Sequence, residues 1–311
     1  MPKVPKGDLT LKAAAATAAI LIIGLLGSLA VELFLGSTPS INKFGLSLIL
    51  GKTWDPLDNV YLYGAPPFVY GTILTSAIAL LIGLPISLNV AIFLTEKLKG
   101  KKTIAYVLGT VIELLAVVPS VIYGLWGLFI LGPFLRDYVE APLHRYLGFI
   151  PIFRGTPLGS DFFTAGVILA IMIIPTISAV SRDILNAVPN SQREAMYSLG
   201  GTDWEVIQKS VLPYARSGIF GATILGLGRA VGETMAVTMV IGNMPNITAS
   251  LFSPGYTLSS VIANVFTEAP SALYRSALIE LGLILFFVAL IINLLARLLL
   301  WRMTRGSHFR I

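Results

Sequence analysis

PNSQREAMYSLGGTDWEVIQKSVLP, residues 189–213, is a polar interruption between apolar blocks, and how it is read decides the fold. Ser191-x-x-Glu194 and Thr202-x-x-Glu205 each have the spacing of a capping box, in which a hydroxyl accepts from the third backbone N–H and a carboxylate from the first. Between them Gly200-Gly201 ends the first helix, because glycine adopts the positive φ of a C-terminal cap without a Cβ penalty. Pro213 is expected to stop the second helix by removing a donor and crowding the preceding turn. The stretch is therefore predicted as a helix–turn–helix. Ala195, Met196 and Leu199 share one side of the first helix, and Trp204, Ile207 and Val211 one side of the second, so each helix has a face to bury.

The rest of the chain sets the environment of this elbow. Of 311 residues 55% are hydrophobic and only 12% charged, and the mean hydropathy is +0.82, which excludes a soluble globular domain. The net charge of +6 sits in short clusters beside apolar runs, not in a stripe, so it points to membrane orientation and away from nucleic acid. There is no cysteine, hence no disulfide, thiolate metal site or cysteine nucleophile. His144 has no second ligand nearby, so no metal is expected. Gly100-Lys101-Lys102-Thr103 lacks the earlier glycine of a nucleotide loop, Thr95 standing there, and no HExxH or Gly-x-Ser-x-Gly motif is present.

A crossing takes about 20 apolar residues, and six blocks meet that, at 13–35, 68–94, 104–132, 162–182, 217–243 and 274–300. The expected fold is an all-α membrane protein with six transmembrane helices in a lipid bilayer. Lys3, Lys6 and Lys12, then Lys97, Lys99, Lys101 and Lys102, then Arg302, Arg305 and Arg310 put both termini and the link after the second block in the cytoplasm. The elbow then lies on the same side. Trp54, Tyr61 and Tyr63 in the 36–67 connection suit the outer interface, and 133–161 reads as an outside hairpin or cap. Pro85, Pro119 and Pro175 are expected to bend their helices.

The fifth block carries the chemistry. Gly218, Gly221, Gly228 and Gly232 fall on one side of a continuous helix and invite close backbone approach. Arg229 and Glu233 stand one turn apart and are expected to neutralise each other, since each charge at mid-membrane costs about 2.5–3.5 kcal/mol. One reading is a self-satisfied ion pair. The other is a solute path in which the planar fork of Arg229 binds an oxyanion, Glu233 takes its place at rest, and Thr234 and Thr238 add hydroxyls. Glu113 and Glu280 are further candidates along such a path.

Glu194-Ala195, Gly200 and Leu212-Pro213 resemble the EAA loop of ABC-transporter permeases, with Met196 in place of the usual second alanine and Ser210 where isoleucine is common. The run GLGRAVGETMAVTMVIGN, residues 226–243, resembles the PstC-type permeases of phosphate-specific ABC importers, and the likeness spans most of 67–300. It implies a MetI-like type I importer fold with cytoplasmic coupling helices, in which Glu194, Ala195, Met196, Gly200, Gly201, Leu212 and Pro213 dock on an ATPase. It also implies a heterodimer with a PstA-type permease, a PstB-type ATPase dimer and a PstS-type binding protein that delivers inorganic phosphate. No cofactor is expected in this chain, ATP and Mg being used by the partner ATPase. The organisation implied is an N-terminal tail, helix and outside loop at 1–66, a permease core at 67–305 and a cytoplasmic tail at 306–311. Two rival readings are a permease for molybdate or sulfate, which should lack the Arg-Ala-Val-Gly-Glu run, and an ion-coupled secondary transporter, which should show internal repeats.

Overall fold

The computed structural model describes residues 6–55 and 62–305. Lys3, Pro56, Asp58, Tyr61, Arg310 and the 306–311 tail lie outside the described residues, as do the side chains of Lys6, Lys102 and Arg305. The elements that position the site are α1 (Lys6–Phe44), α2 (Pro66–Lys97), α3 (Lys102–Val117), α4 (Ser120–Leu147), α5 (Phe162–Asn186) and α6 (Asn190–Ser198). After them α7 begins at Asp203 and runs through a π-helical turn, Ile207–Val211, into Leu212–Gly232. Then follow α8 (Met235–Val240), α9 (Leu258–Val265) and α10 (Ala272–Arg305).

Four of these, α1, α2, α5 and α10, are long and apolar enough to cross a membrane unbroken, and α3 with α4 form a fifth crossing bent by 89°. The bend has a local cause. Val118 precedes Pro119 and is driven out of the helical region, to ψ 126°, and the proline has no N–H with which to continue α3. Pro85 and Pro175, by contrast, lie inside continuous helices.

The fifth block is not one helix either, which corrects the expectation for 217–243. α7 ends at Gly232, Glu233 is extended at ψ 132°, and α8 restarts at Met235. No proline forces this break. One tertiary and one local bond hold it open: the Ser259 hydroxyl donates to the Glu233 carbonyl at 2.6 Å, and a Glu233 carboxylate oxygen accepts the Ala236 N–H at 3.3 Å, capping α8. The two pieces still traverse the bundle, because beyond α8 Gly255 N–H bonds to Ile241 O at 2.8 Å and Phe162 N–H, at the start of α5, to Ser253 O at 3.2 Å. Thus α8 ends at the opposite end of the molecule from the elbow.

In lipid, water does not drive helices together, so contact comes from close packing of small and branched side chains. The main core joins α2, α4, α5, α7 and α8 through Ala79, Tyr123, Phe162, Ile168, Met172, Ile177, Ala222, Val237 and Ile241. At Gly166 of α5 a Cβ would lie 2.4 Å from the Ile78 side chain, which is how closely α2 approaches. By contrast α1 exposes Ile20, Leu21, Ile22 and Ile23, a surface suited to lipid.

Two connections are more ordered than expected. Trp54 and Tyr63 pack within the chain: Tyr63 stacks on Tyr274 at 5.6 Å, and Trp54 meets Phe68 edge-on at 5.0 Å, at one apolar cluster. Residues 133–147 continue α4, so only the remainder of 133–161 is loop. Glu280 is buried beside Ser40 of α1.

Candidate functional site

The elbow forms, with two corrections. Gly200 takes φ +80°, and the N–H groups of Gly200 and Gly201 bond back to Tyr197 and Met196 carbonyls at 2.9 and 3.1 Å. The Thr202–Glu205 capping box is present in both directions. Lys209 first, and then the Thr202 N–H, hold the Glu205 carboxyl down to about 2, so the stabilisation from this box is present at neutral pH and lost only as pH falls through that range. Thr202→Ala is expected to cost about 1 kcal/mol locally, measured as faster hydrogen exchange at Glu205 and Val206; unchanged exchange would remove the box from the account.

The first correction is that Ser191–Glu194 makes no capping box, because α6 already starts at Asn190 behind Pro189, which places Ser191 inside the first turn. The second is that Pro213 does not stop a helix. The π-turn inserts an extra residue, Leu212 N–H reaching back to Ile207 O, so the chain passes Pro213 in the first turn of the long helical segment without the clash an α-turn would impose.

The buried face of the elbow also differs. Ala195 and Leu199 are exposed and Met196 is half-buried, whereas Arg193 is enclosed. Its guanidinium reaches Glu96 at the end of α2 (2.6 Å), Leu185 O (2.9 Å) and Val188 O (2.6 Å) at the end of α5. Both side chains of this ion pair are under a tenth exposed, at 8% and 9%. Local pattern carries no sign of it, since Glu96 is 97 residues away. Ser210, standing where the resembled loops commonly have isoleucine, donates to Gln192 O at 2.8 Å and ties the two arms together. Lys97–Asp203 (3.3 Å) and Lys99–Asn190 (3.1 Å) add exposed contacts to the α2 end. Among the exposed residues three are large and apolar: Leu199 at 83%, Trp204 at 59% and Tyr197 at 49% exposed.

Arg229 lies in the last turn of α7. Among the described residues no carboxylate is within ion-pair distance of it; the expected pair with Glu233 is absent because the helix ends between them and Glu233 turns to cap α8. The guanidinium instead donates to the Thr176 hydroxyl of α5 at 3.2 Å and to Ala116 O, near the carbonyl end of α3, at 3.5 Å. A cation at a helix C-terminus is favourable there. Both broken crossings therefore meet at this arginine. Gly124 of α4 packs on Ala236 and Met239 of α8, and Gly127 on Val240, so the restarted halves run side by side from the level of the breaks.

Beside Arg229 opens a hollow of about 440 Å³, lined also by Thr176, Gly221, Gly228 and Asn293. Gly221, Gly228 and Gly232 have nothing within 4 Å of where a Cβ would be, whereas Gly218 and Gly226 pack on Ile184 and Ile177, so the glycine side is only partly used within this chain. Thr234 and Thr238 do not present free donors, because their hydroxyls bond to Gly232 O (3.1 Å) and Thr234 O (2.7 Å) at the break. Glu113 contacts Arg182 of α5, one turn along α3 from Ala116. Thr176 and Asn293 were missed by sequence reasoning, although Asn293 is the one amide in the apolar run 281–296.

Four unbroken apolar spans, a fifth bent at Pro119, and an anchored elbow beside a cation at a broken helix describe a polytopic membrane subunit. Residues 83–305 match the family described as binding-protein-dependent transport system inner membrane component. The chain belongs to that family. It is 45% identical to the phosphate transport system permease protein PstC of Mesorhizobium japonicum, covering 95% of this chain and 90% of that one. To the PstC of Pasteurella multocida it is 46% identical, over 92% and 89%. To the probable phosphate transport system permease protein PstC of Methanocaldococcus jannaschii it is 39% identical, over 84% of each. An inward-facing structure of the MetNI methionine ABC transporter shares the fold, with a TM-score of 0.53 at 16% identity, covering 75% of this chain and 91% of that one.

Proposed function

We propose that this chain is a permease subunit of an ATP-driven inorganic phosphate importer, and that it forms the solute path with a second, PstA-type permease. The observation that carries the reading is Arg229, a cation at the break in α7 beside a hollow, with no carboxylate within ion-pair distance among the described residues. Its present partners, a hydroxyl and a carbonyl, are neutral and weaker than the charge-assisted fork-to-oxygen bonds an oxyanion would make. Phosphate is favoured among oxyanions by the names of the relatives and their extent of identity.

The motor is a separate PstB-type ATPase dimer using ATP and Mg, docked on the elbow's outward Leu199, Trp204 and Tyr197; a PstS-type protein delivers phosphate at the opposite face. The lysine and arginine clusters support a cell-membrane protein with the elbow and both termini in the cytoplasm. Of the other candidates for the path, Glu233 caps α8 and Glu113 contacts Arg182, so Arg229 is the residue assigned to the anion.

The reconstituted complex should take up labelled phosphate only with ATP, and excess sulfate or molybdate should not compete. Equal competition by either, or uptake without nucleotide, would overturn the reading. Docking is checked separately: Leu199→Asp with Trp204→Asp, both at exposed positions, should abolish co-purification of the ATPase while leaving the melting temperature of the permease pair unchanged. Retained co-purification would move the docking surface elsewhere.

A further inference from the structure

Two acids with no part in the path are buried at the end opposite the elbow. Glu140, in the outer part of α4, and Asp161, which caps α5, are both 0% exposed. Glu140 accepts from the Thr164 hydroxyl and from the Gly159 N–H, each at 3.2 Å, and Asp161 Oδ1 accepts the Thr164 N–H at 2.9 Å. Asp161 Oδ2 is buried without a donor among the described residues, and the two carboxyls adjoin each other.

The surroundings supply no neutralising cation at bonding distance. Arg136, one turn earlier on α4, is exposed and forked onto Asp137 at 2.7 and 3.1 Å. His144 turns to Phe153 O at 3.0 Å, and Arg145 and Arg154 are exposed. The 244–257 loop, whose Leu251 and Ser253 carbonyls take the first N–H groups of α5, contains no charged residue. Nor does α2 until Glu96, at its far end.

Two adjacent carboxylates enclosed in this way cannot both be ionised without strong repulsion, and a single proton between them would satisfy Asp161 Oδ2 while leaving Glu140 free to accept its two bonds. We propose that Glu140 and Asp161 together bind one proton, and that this shared proton latches the outer end of α4 and the 148–160 connection to the start of α5. The backbone is built for that closure. Gly159 has φ +69°, and a Cβ on it would lie 2.4 Å from Gly132 O, so the connection is pressed directly onto α4 where Glu140 holds the Gly159 N–H.

Burial first, and then the neighbouring Glu140 charge, push the Asp161 carboxyl up to about 8. A raised acid stabilises the fold fully below the ordinary carboxylate range, and that contribution is lost as pH rises through the raised value. The latch is therefore closed at neutral pH and weakens in alkali. It is independent of the solute and motor proposed above, so its test is not read through uptake.

The assembled transporter in lipid nanodiscs, compared by infrared difference spectroscopy between about pH 6 and about pH 9, should lose one protonated-carboxyl band with a midpoint near 8. Asp161→Asn, whose amide oxygen can still cap α5 and whose NH2 can donate to Glu140, should lack the band. The melting temperature of the unaltered transporter should fall by several degrees across that range, and that of Asp161→Asn should stay level. Should Asp161→Asn fail to assemble, Glu140→Gln is expected to lose the same band and the same slope. A wild-type transporter with no titrating band, a substituted one that keeps both band and slope, or a melting temperature raised by calcium or magnesium and lowered by a chelator would each overturn a shared proton.

Discussion

Arg229→Ala will abolish ATP-driven phosphate uptake while leaving the permease pair and its ATPase assembled. The arginine's present bonds are one hydroxyl and one long carbonyl contact, so its removal strands no buried charge and costs the fold little. For a crossing anion the loss is larger. Two charge-assisted bonds to a phosphate are worth about 3 kcal/mol together at the low end, which corresponds to a roughly hundredfold fall in rate. Arg229→Lys should recover part of it, since the charge remains but the planar fork does not. Transport by Arg229→Ala within a few-fold of the unaltered complex would remove the residue from the path. Glu233→Gln should be milder, because an amide oxygen can still accept the Ala236 N–H and keep α8 capped.

Arg193→Ala will destabilise the permease more than any change at the elbow's surface. Glu96 would be left buried without its partner, and the Leu185 and Val188 carbonyls at the end of α5 would lose their donor. Breaking a buried pair from one side costs about 3–5 kcal/mol, a large fraction of the margin by which proteins are folded. The melting temperature should drop sharply. The paired change Arg193→Met with Glu96→Leu removes both charges and should regain most of it. What it should not regain is tight coupling, because the guanidinium is the joint that fastens the elbow to α2 and α5 together; ATP hydrolysed per phosphate imported should rise. Arg193→Lys should fall between, reaching Glu96 but not both carbonyls. An unchanged melting temperature for Arg193→Ala would refute the joint.

These expectations could not all have been reached by reading along the chain. The two helices of the elbow, the positive φ at Gly200 and the Thr202–Glu205 box are legible because each depends on residues within one turn. The break at Pro119 is legible for the same reason, proline acting on its own neighbours. The break at Glu233 is not, because it depends on Ser259 and on a capping bond made only once α8 exists. Pro213 misleads because the π-turn before it absorbs the defect a proline ordinarily causes.

The sequence by itself determined that the chain lives in a membrane, that it holds six apolar blocks, that a capped elbow interrupts them, and that an arginine sits in the fifth. Hydropathy, caps and turn chemistry act between near neighbours and survive any later packing. Tertiary structure alone decided which partner each charge took: Thr176 and Ala116 for Arg229 in place of Glu233, Glu96 for Arg193, and Glu140 for Asp161. Charges in a poorly polarisable interior are worth what their nearest dipoles make them, and those dipoles arrive from helices far apart in the chain.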